Sequence, residues 1–170
     1  MFPDNFLWGV SISAFQFEMG SPRGVGIDPN TDWYVWVHDP ENIRRGLVSG
    51  DLPEDGVNYW ELYREDHERA ASLGMNAFRL NIEWSRIFPR PTFDVEVYVD
   101  ERDGLALDVD VSESDLDRLD SLACGEAVLH YRSVLEDLRD RGFNIILNLV
   151  HFTLPLWLHN PLVARRSRLR

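Results

Sequence analysis

The sequence predicts an α/β protein built on a parallel sheet, and three observations point there. Apolar stretches of strand character lie at 6–13, 75–90 and 143–150; two stretches of helical period separate them; and Gly74 and Gly142 stand where each helix has to stop. Strand, helix, strand, helix, strand in succession implies parallel pairing, hence a doubly wound sheet or a (β/α) barrel. No Gly-x-Gly-x-x-Gly follows a strand and no Gly-x-x-x-x-Gly-Lys occurs, which counts against a nucleotide-binding version.

In "FLWGVSISAFQFEMG", Trp8, Val10 and Ile12 alternate with Gly9, Ser11 and Ser13, the period of a strand with two unlike faces. Past its end the chain places Gln16 and Glu18 among aromatics. A Gly-, Pro- and Asp-rich stretch from Gly20 to Gly56 reads as a long loop with one short helix, and such a loop is uncommon unless it builds a site. Asn58 to Leu73 reads as a helix with Tyr59, Leu62, Tyr63, Ala70 and Leu73 on one stripe.

"MNAFRLNIEWSRIFPR" holds the second strand. Phe78, Leu80 and Ile82 are expected under the helices, with Arg79, Asn81 and Glu83 facing a barrel interior. Phe93 to Asp115 is acidic and mixed and reads as an insertion. A second helix is expected over 125–141, with Val128, Tyr131, Leu135 and Leu138 on one side. "FNIILNLV" is almost wholly apolar, as a strand covered on both faces should be.

Composition narrows the function. No run of about 18 uncharged apolar residues occurs, so no membrane span is expected. No basic start with an apolar core and cleavage site appears, so no signal peptide is expected. The single Cys124 excludes an internal disulfide and suits a cytoplasmic setting. Without a second Cys or clustered His, no zinc site is expected, and the sequence suggests no cofactor. A net charge of −12 argues against a nucleic-acid partner. All 17 basic residues are Arg, which with the Asp-rich stretch from Asp94 to Asp120 suggests adaptation to high salt. A GC-rich genome is the plainer alternative.

In parallel α/β folds the chemistry gathers at the C-terminal ends of strands. That rule selects Gln16 and Glu18, then Arg79, Asn81 and Glu83, then His151 with Phe152 and the following "TLPLWLHN". Each has a structural alternative. Gln16 could cap loop amides, Arg79 and Glu83 could form an internal ion pair, and His151 could pack. Trp33, Trp36, Trp60, Trp84 and Trp157 could be core, or they could supply flat apolar faces to a sugar ring.

"FLWGVSISAFQFEMG" resembles the N-terminal signature of glycoside hydrolase family 1, with Phe6, Trp8, Gly9, Ser11, Ser13, Ala14, Phe15, Gln16, Glu18 and Gly20 all fitting. "MNAFRLNIEWSRIFPR" resembles that family's second strand, and "NLVHFTLPLWL" its third strand and loop. "DPNTDWYVWVHDPEN" and "GLVSGDLPEDGVNYW" are similar to its archaeal β-glycosidase branch, which acts on β-galactosides and β-glucosides. The likeness covers 2–166 and leaves a divergent tail at 167–170. It implies the first three βα units of a (β/α)8 TIM barrel, incomplete in this chain, with residues 1–170 all part of one catalytic domain. It also implies that Gln16 and His151 bind the terminal sugar and that Arg79 supports the nucleophilic carboxylate. Phe152, where the family usually has Trp, and Trp33 are further substrate-binding candidates.

Retaining glycosidases use two carboxyl groups about 5 Å apart. The resemblance places these after strands four and seven, in Asn-Glu-Pro and Glu-Asn-Gly motifs, and neither motif occurs here. The expectation is therefore the N-terminal third of a β-glycosidase, inactive alone, cut short by a stop, a frameshift or a split gene. A second chain could supply the rest of the barrel. Two alternatives are a non-catalytic sugar-binding or assembly module, and a small independent hydrolase using Glu18 and Glu83.

Overall fold

The computed structural model describes residues 2–20 and 26–163. The tail at 167–170, the residues just before it and part of the first long loop lie outside them. Three parallel strands, β1 (Gly9–Ser11), β2 (Ala77–Asn81) and β5 (Asn144–Asn148), form one sheet in the order β1-β2-β5. An antiparallel ribbon of β3 (Tyr98–Arg102) and β4 (Leu105–Asp110) stands apart.

The first strand pairs over a shorter stretch than the alternation suggests, because the chain turns into the one-turn helix α1 (Ala14–Phe17). Its small face serves close approach. A Cβ at Gly9 would lie 2.6 Å from the Ala77 carbonyl oxygen, so a larger residue would force β1 and β2 apart.

The expected loop with one short helix contains two helices and a turn of 3-10 helix: α2 (Asp32–His38), α3 (Pro40–Arg44) and Pro53–Asp55. Their shortness and exposed faces leave little periodic signal. α4 (Tyr59–Ser72) and α7 (Gly125–Asp140) match the expected helices, with Leu73 and Arg141 as C-caps before Gly74 and Gly142 at positive φ. Between them come α5 (Trp84–Ile87), the ribbon and α6 (Glu113–Leu122), which opens on a capping box of Ser112 and Asp115. The insertion at 93–115 is thus the ribbon and the start of α6, and all strand residues of the ribbon are exposed.

α4 and α7 lie against the sheet and bury Tyr59, Tyr63, Ala70, Val134 and Leu138 against Ile12, Phe78, Leu80 and Phe143. His67 sits inside this layer. Its Nδ1 is 2.8 Å from Asp137 Oδ2 and its Nε2 is 2.7 Å from the Tyr59 hydroxyl. A carboxylate can only accept, so Nδ1 donates and Nε2 accepts from Tyr59. The ring is then neutral, which agrees with burial holding its pKa down. This clamp ties α4 to α7 and stands away from the strand ends.

Candidate functional site

β1, β2 and β5 end side by side, and the polar side chains that follow them meet there. From β2, Arg79 donates Nη1 to Ser11 Oγ on β1 at 2.9 Å. On its other side it meets Asn148, the last residue of β5. With the amide oriented by its donors, the Asn148 oxygen accepts from Arg79 Nη2 at 2.6 Å and Nε at 3.1 Å. The guanidinium therefore spans all three strands and is held without a carboxylate partner in these bonds.

Gln16 lies exposed on α1, just past β1. The neighbouring Phe15 is buried and meets the ring of the half-exposed Trp33 edge-on at 5.5 Å. Trp33, Trp36, Asp32 and His159 help line a cavity of about 430 Å³. After β5, His151 is half-buried, and its Nδ1 is a buried atom with no partner among the described residues. Phe152 adopts φ 72° and is 76% exposed, its ring 5.1 Å from the His151 ring. A bulky residue in left-handed backbone at a strand end is the kind of strain that gathers at working sites.

The two carboxylates behind this surface are not an open pair. Glu18 and Glu83 are each 2% exposed. Glu18 accepts from Arg86 Nε at 2.7 Å and from the Tyr131 hydroxyl at 2.9 and 3.1 Å. Glu83 accepts from Asn81 Nδ2 at 3.0 Å and Thr153 Oγ1 at 2.7 Å, while its own N–H donates to Tyr131. The internal ion pair is therefore Arg86 with Glu18 rather than Arg79 with Glu83. Asn81 ends β2 on the same strand face as Arg79, Glu83 lies where the chain enters α5, and both side chains are buried in this packed network. Burial raises the pKa of both acids, that of Glu18 to about 7. With every oxygen of the pair committed to bonds within the protein, this geometry speaks against a hydrolase built on Glu18 and Glu83.

Sequence reading missed the residues that hold the loops in place. Asp32, 4% exposed, accepts from the Leu154 N–H at 3.0 Å, lies 2.7 Å from His159 Nδ1 and donates its own N–H to Leu154 O at 2.9 Å. It ties the Trp33 helix to the loop after His151. Its neighbours in "NTDWY" give no sign that this acid is buried. Asn148 was legible in principle, as the polar residue that closes the apolar run at 145–147.

Three parallel βα units with polar groups converging beyond the strand ends define part of a (β/α) barrel with its working face at the C-terminal rim. The family model of glycosyl hydrolase family 1 matches residues 1–98. A β-galactosidase from Pyrococcus woesei is 54% identical over 171 aligned residues, which take in 99% of this chain and 34% of that protein. One from Sulfolobus acidocaldarius is 52% identical over 98% of this chain and 34% of its own length. The crystal structure of the β-glycosidase from the hyperthermophile Thermosphaera aggregans superposes with a TM-score of 0.92 at 54% identity, covering 97% of this chain and 34% of that one. The chain belongs to glycosyl hydrolase family 1. It spans about a third of the length of the relatives it matches.

Proposed function

We propose that this chain supplies the first three βα units, within one catalytic domain, of a retaining β-glycosidase acting on terminal β-D-galactosides or β-D-glucosides. The unpartnered His151 Nδ1 and the exposed Gln16, both past strand ends of one parallel sheet, together with Arg79 clamped across its three strands, carry the reading. Hydroxyls of the terminal sugar would bond to the Gln16 amide and the His151 ring, with Phe152 and Trp33 offering apolar faces to the ring's C–H surface. Arg79, with no acid bound to it in the bonds described, would keep a neighbouring nucleophilic carboxylate ionised by its positive charge.

The acid/base and the nucleophile would come from polypeptide beyond these three units, where a barrel of eight strands is completed. Two features support a completing partner. β1 and β5 are both open sheet edges. A groove of about 650 Å³ beside β5, lined by Ile82, Trp84, Val128, Leu135, Ile145 and Leu149 among others, has the shape and apolarity to receive a further helix. No helix among the described residues is long and apolar enough to cross a membrane, and the single Cys124 supports a cytoplasmic setting.

The test is complementation. The chain is co-produced with the part of the Pyrococcus woesei β-galactosidase lying beyond the matched stretch, and nitrophenyl β-galactoside and β-glucoside are assayed. Hydrolysis by the pair and by neither piece alone is expected, with Gln16→Ala and His151→Ala each lowering kcat/KM of the pair on the order of 10²-fold. A pair that co-purifies and hydrolyses neither substrate overturns the glycosidase reading. Hydrolysis by the chain alone overturns the assignment of both carboxylates to other polypeptide.

A further inference from the structure

We infer that Glu83 is a positioning residue of the sugar site, its buried carboxyl joining the loop that carries His151 to the turn that carries Gln16. The two loops follow different strands and are 135 positions apart in sequence.

The link is short and complete. Glu83 Oε2 accepts from Thr153 Oγ1 at 2.7 Å, and the Thr153 N–H donates to His151 O at 3.0 Å, closing the tight turn in which Phe152 takes its positive φ. Glu83 Oε1 accepts from Asn81 Nδ2 at 3.0 Å. The Asn81 oxygen in turn accepts from the N–H of Ala14 at 2.7 Å, the first residue of the helix that holds Gln16. One carboxyl and one amide therefore span from the start of α1 to the turn after β5. All three side chains are buried: Asn81 and Glu83 are 2% exposed and Thr153 5%.

The arrangement is costly unless it has a use, because a carboxyl is buried among neutral donors rather than beside its own cation. The buried guanidinium of Arg86 is bonded to Glu18 and to Gly26 O instead. A chain that merely needed α5 capped could do so with Ser or Asp. Glu83 instead reaches across to Thr153, and the same residue's N–H is fixed by Tyr131 from α7. Its position is thus set by packing, and it passes that order on to the two segments that carry the exposed Gln16 and the half-buried His151.

Glu83 has this role only if Gln16 and His151 are the sugar contacts proposed above, so the test reads positioning and sugar chemistry separately. The labelled 170-residue chain is compared by NMR with Thr153→Val and Thr153→Ser. Thr153→Val is nearly isosteric and removes only the donor. It is expected to shift the His151 signals and, through Glu83 and Asn81, the amides of Ala14 and Gln16, while the His67 ring stays unmoved. Thr153→Ser keeps the donor and should leave all of them in place. If Thr153→Val moves His151 but neither Ala14 nor Gln16, Glu83 does not couple the loops and the inference fails. In the complemented enzyme, Glu83→Gln is expected to lower kcat/KM on the order of 10²-fold, mainly through KM, with its melting midpoint close to the parent. An unchanged KM overturns the role. If the parent pair itself is inactive, the sugar-site reading fails while the NMR result still decides the coupling.

Discussion

Glu18 shows how one buried side chain can set a property of the whole fold. Burial dominates its environment and outweighs the attraction of Arg86, so its pKa stands at about 7 against 4.5 for an exposed acid. The folded state thus holds this proton more tightly than the unfolded state does. The stability it contributes is fully present below about pH 4.5 and is lost as pH rises through about 7. At roughly 1.4 kcal/mol per unit, the loss across that window is about 3 kcal/mol. Glu83 is shifted the same way by the same cause and adds to it. Urea midpoints measured between about pH 5 and 8 should therefore fall steadily. Glu18→Gln, which mimics the protonated acid, should flatten the slope; an undiminished slope would place the titration elsewhere. Phe152 makes the complementary point. Its left-handed backbone carries an exposed ring, so Phe152→Gly should raise stability by about 0.5–1 kcal/mol while removing a flat face from the sugar site. A loss of stability would show that the ring packs where the structure leaves it bare.

At the scale of elements, what the sequence revealed depends on how much each one buries. The helix expected over 58–73 is found at Tyr59–Ser72, and that expected over 125–141 at Gly125–Asp140, because each lays a continuous stripe on the sheet. β5 was legible from its apolar run, although the cover expected on both faces is absent: it is an edge strand with no residue fully buried. α2 and α3 were not legible: their order comes from the buried Asn42, which bonds back to Trp36 O, and from Asp32, whose partner Leu154 in the loop after β5 is 122 positions away. Arg79, Gln16 and His151 were singled out as candidates by the strand-end rule and the family motif together. The partners of Glu83 were not, since no local pattern shows that Thr153 returns to it across 70 positions. The ribbon of β3 and β4 stands at the other extreme. It pairs with itself, buries none of its strand residues, and begins where the family model stops matching at residue 98. A two-stranded ribbon alone is marginal in water. Replacing residues 97–111 by a short Gly-Ser linker should change the stability of the body by less than about 1 kcal/mol, read from urea midpoints. A larger loss would mean that the ribbon supports α6 or the β2 end.

For the molecule as a whole, charge is the property the fold does not explain. The net charge is −12, every basic residue is Arg, and the stretch from Asp94 to Asp120 is the densest in acids. Much of that stretch is the exposed ribbon and α6. Asp100 and Asp108 even face each other across the ribbon, where like charges destabilise the pair. At low ionic strength these carboxylates repel over a Debye length of about 10 Å at 0.1 M, which shrinks to about 3 Å at 1 M. Such repulsion costs the compact state more than the expanded chain. If the composition reflects life in concentrated salt, the thermal midpoint should climb between about 0.1 and 2 M KCl, beyond the rise given by sucrose, which strengthens burial without screening charge. The ribbon-deleted chain should climb less, since it lacks the closest acid pairs. A midpoint that responds equally to KCl and sucrose would leave no role for screening, and the absence of Lys would then reflect codon usage alone.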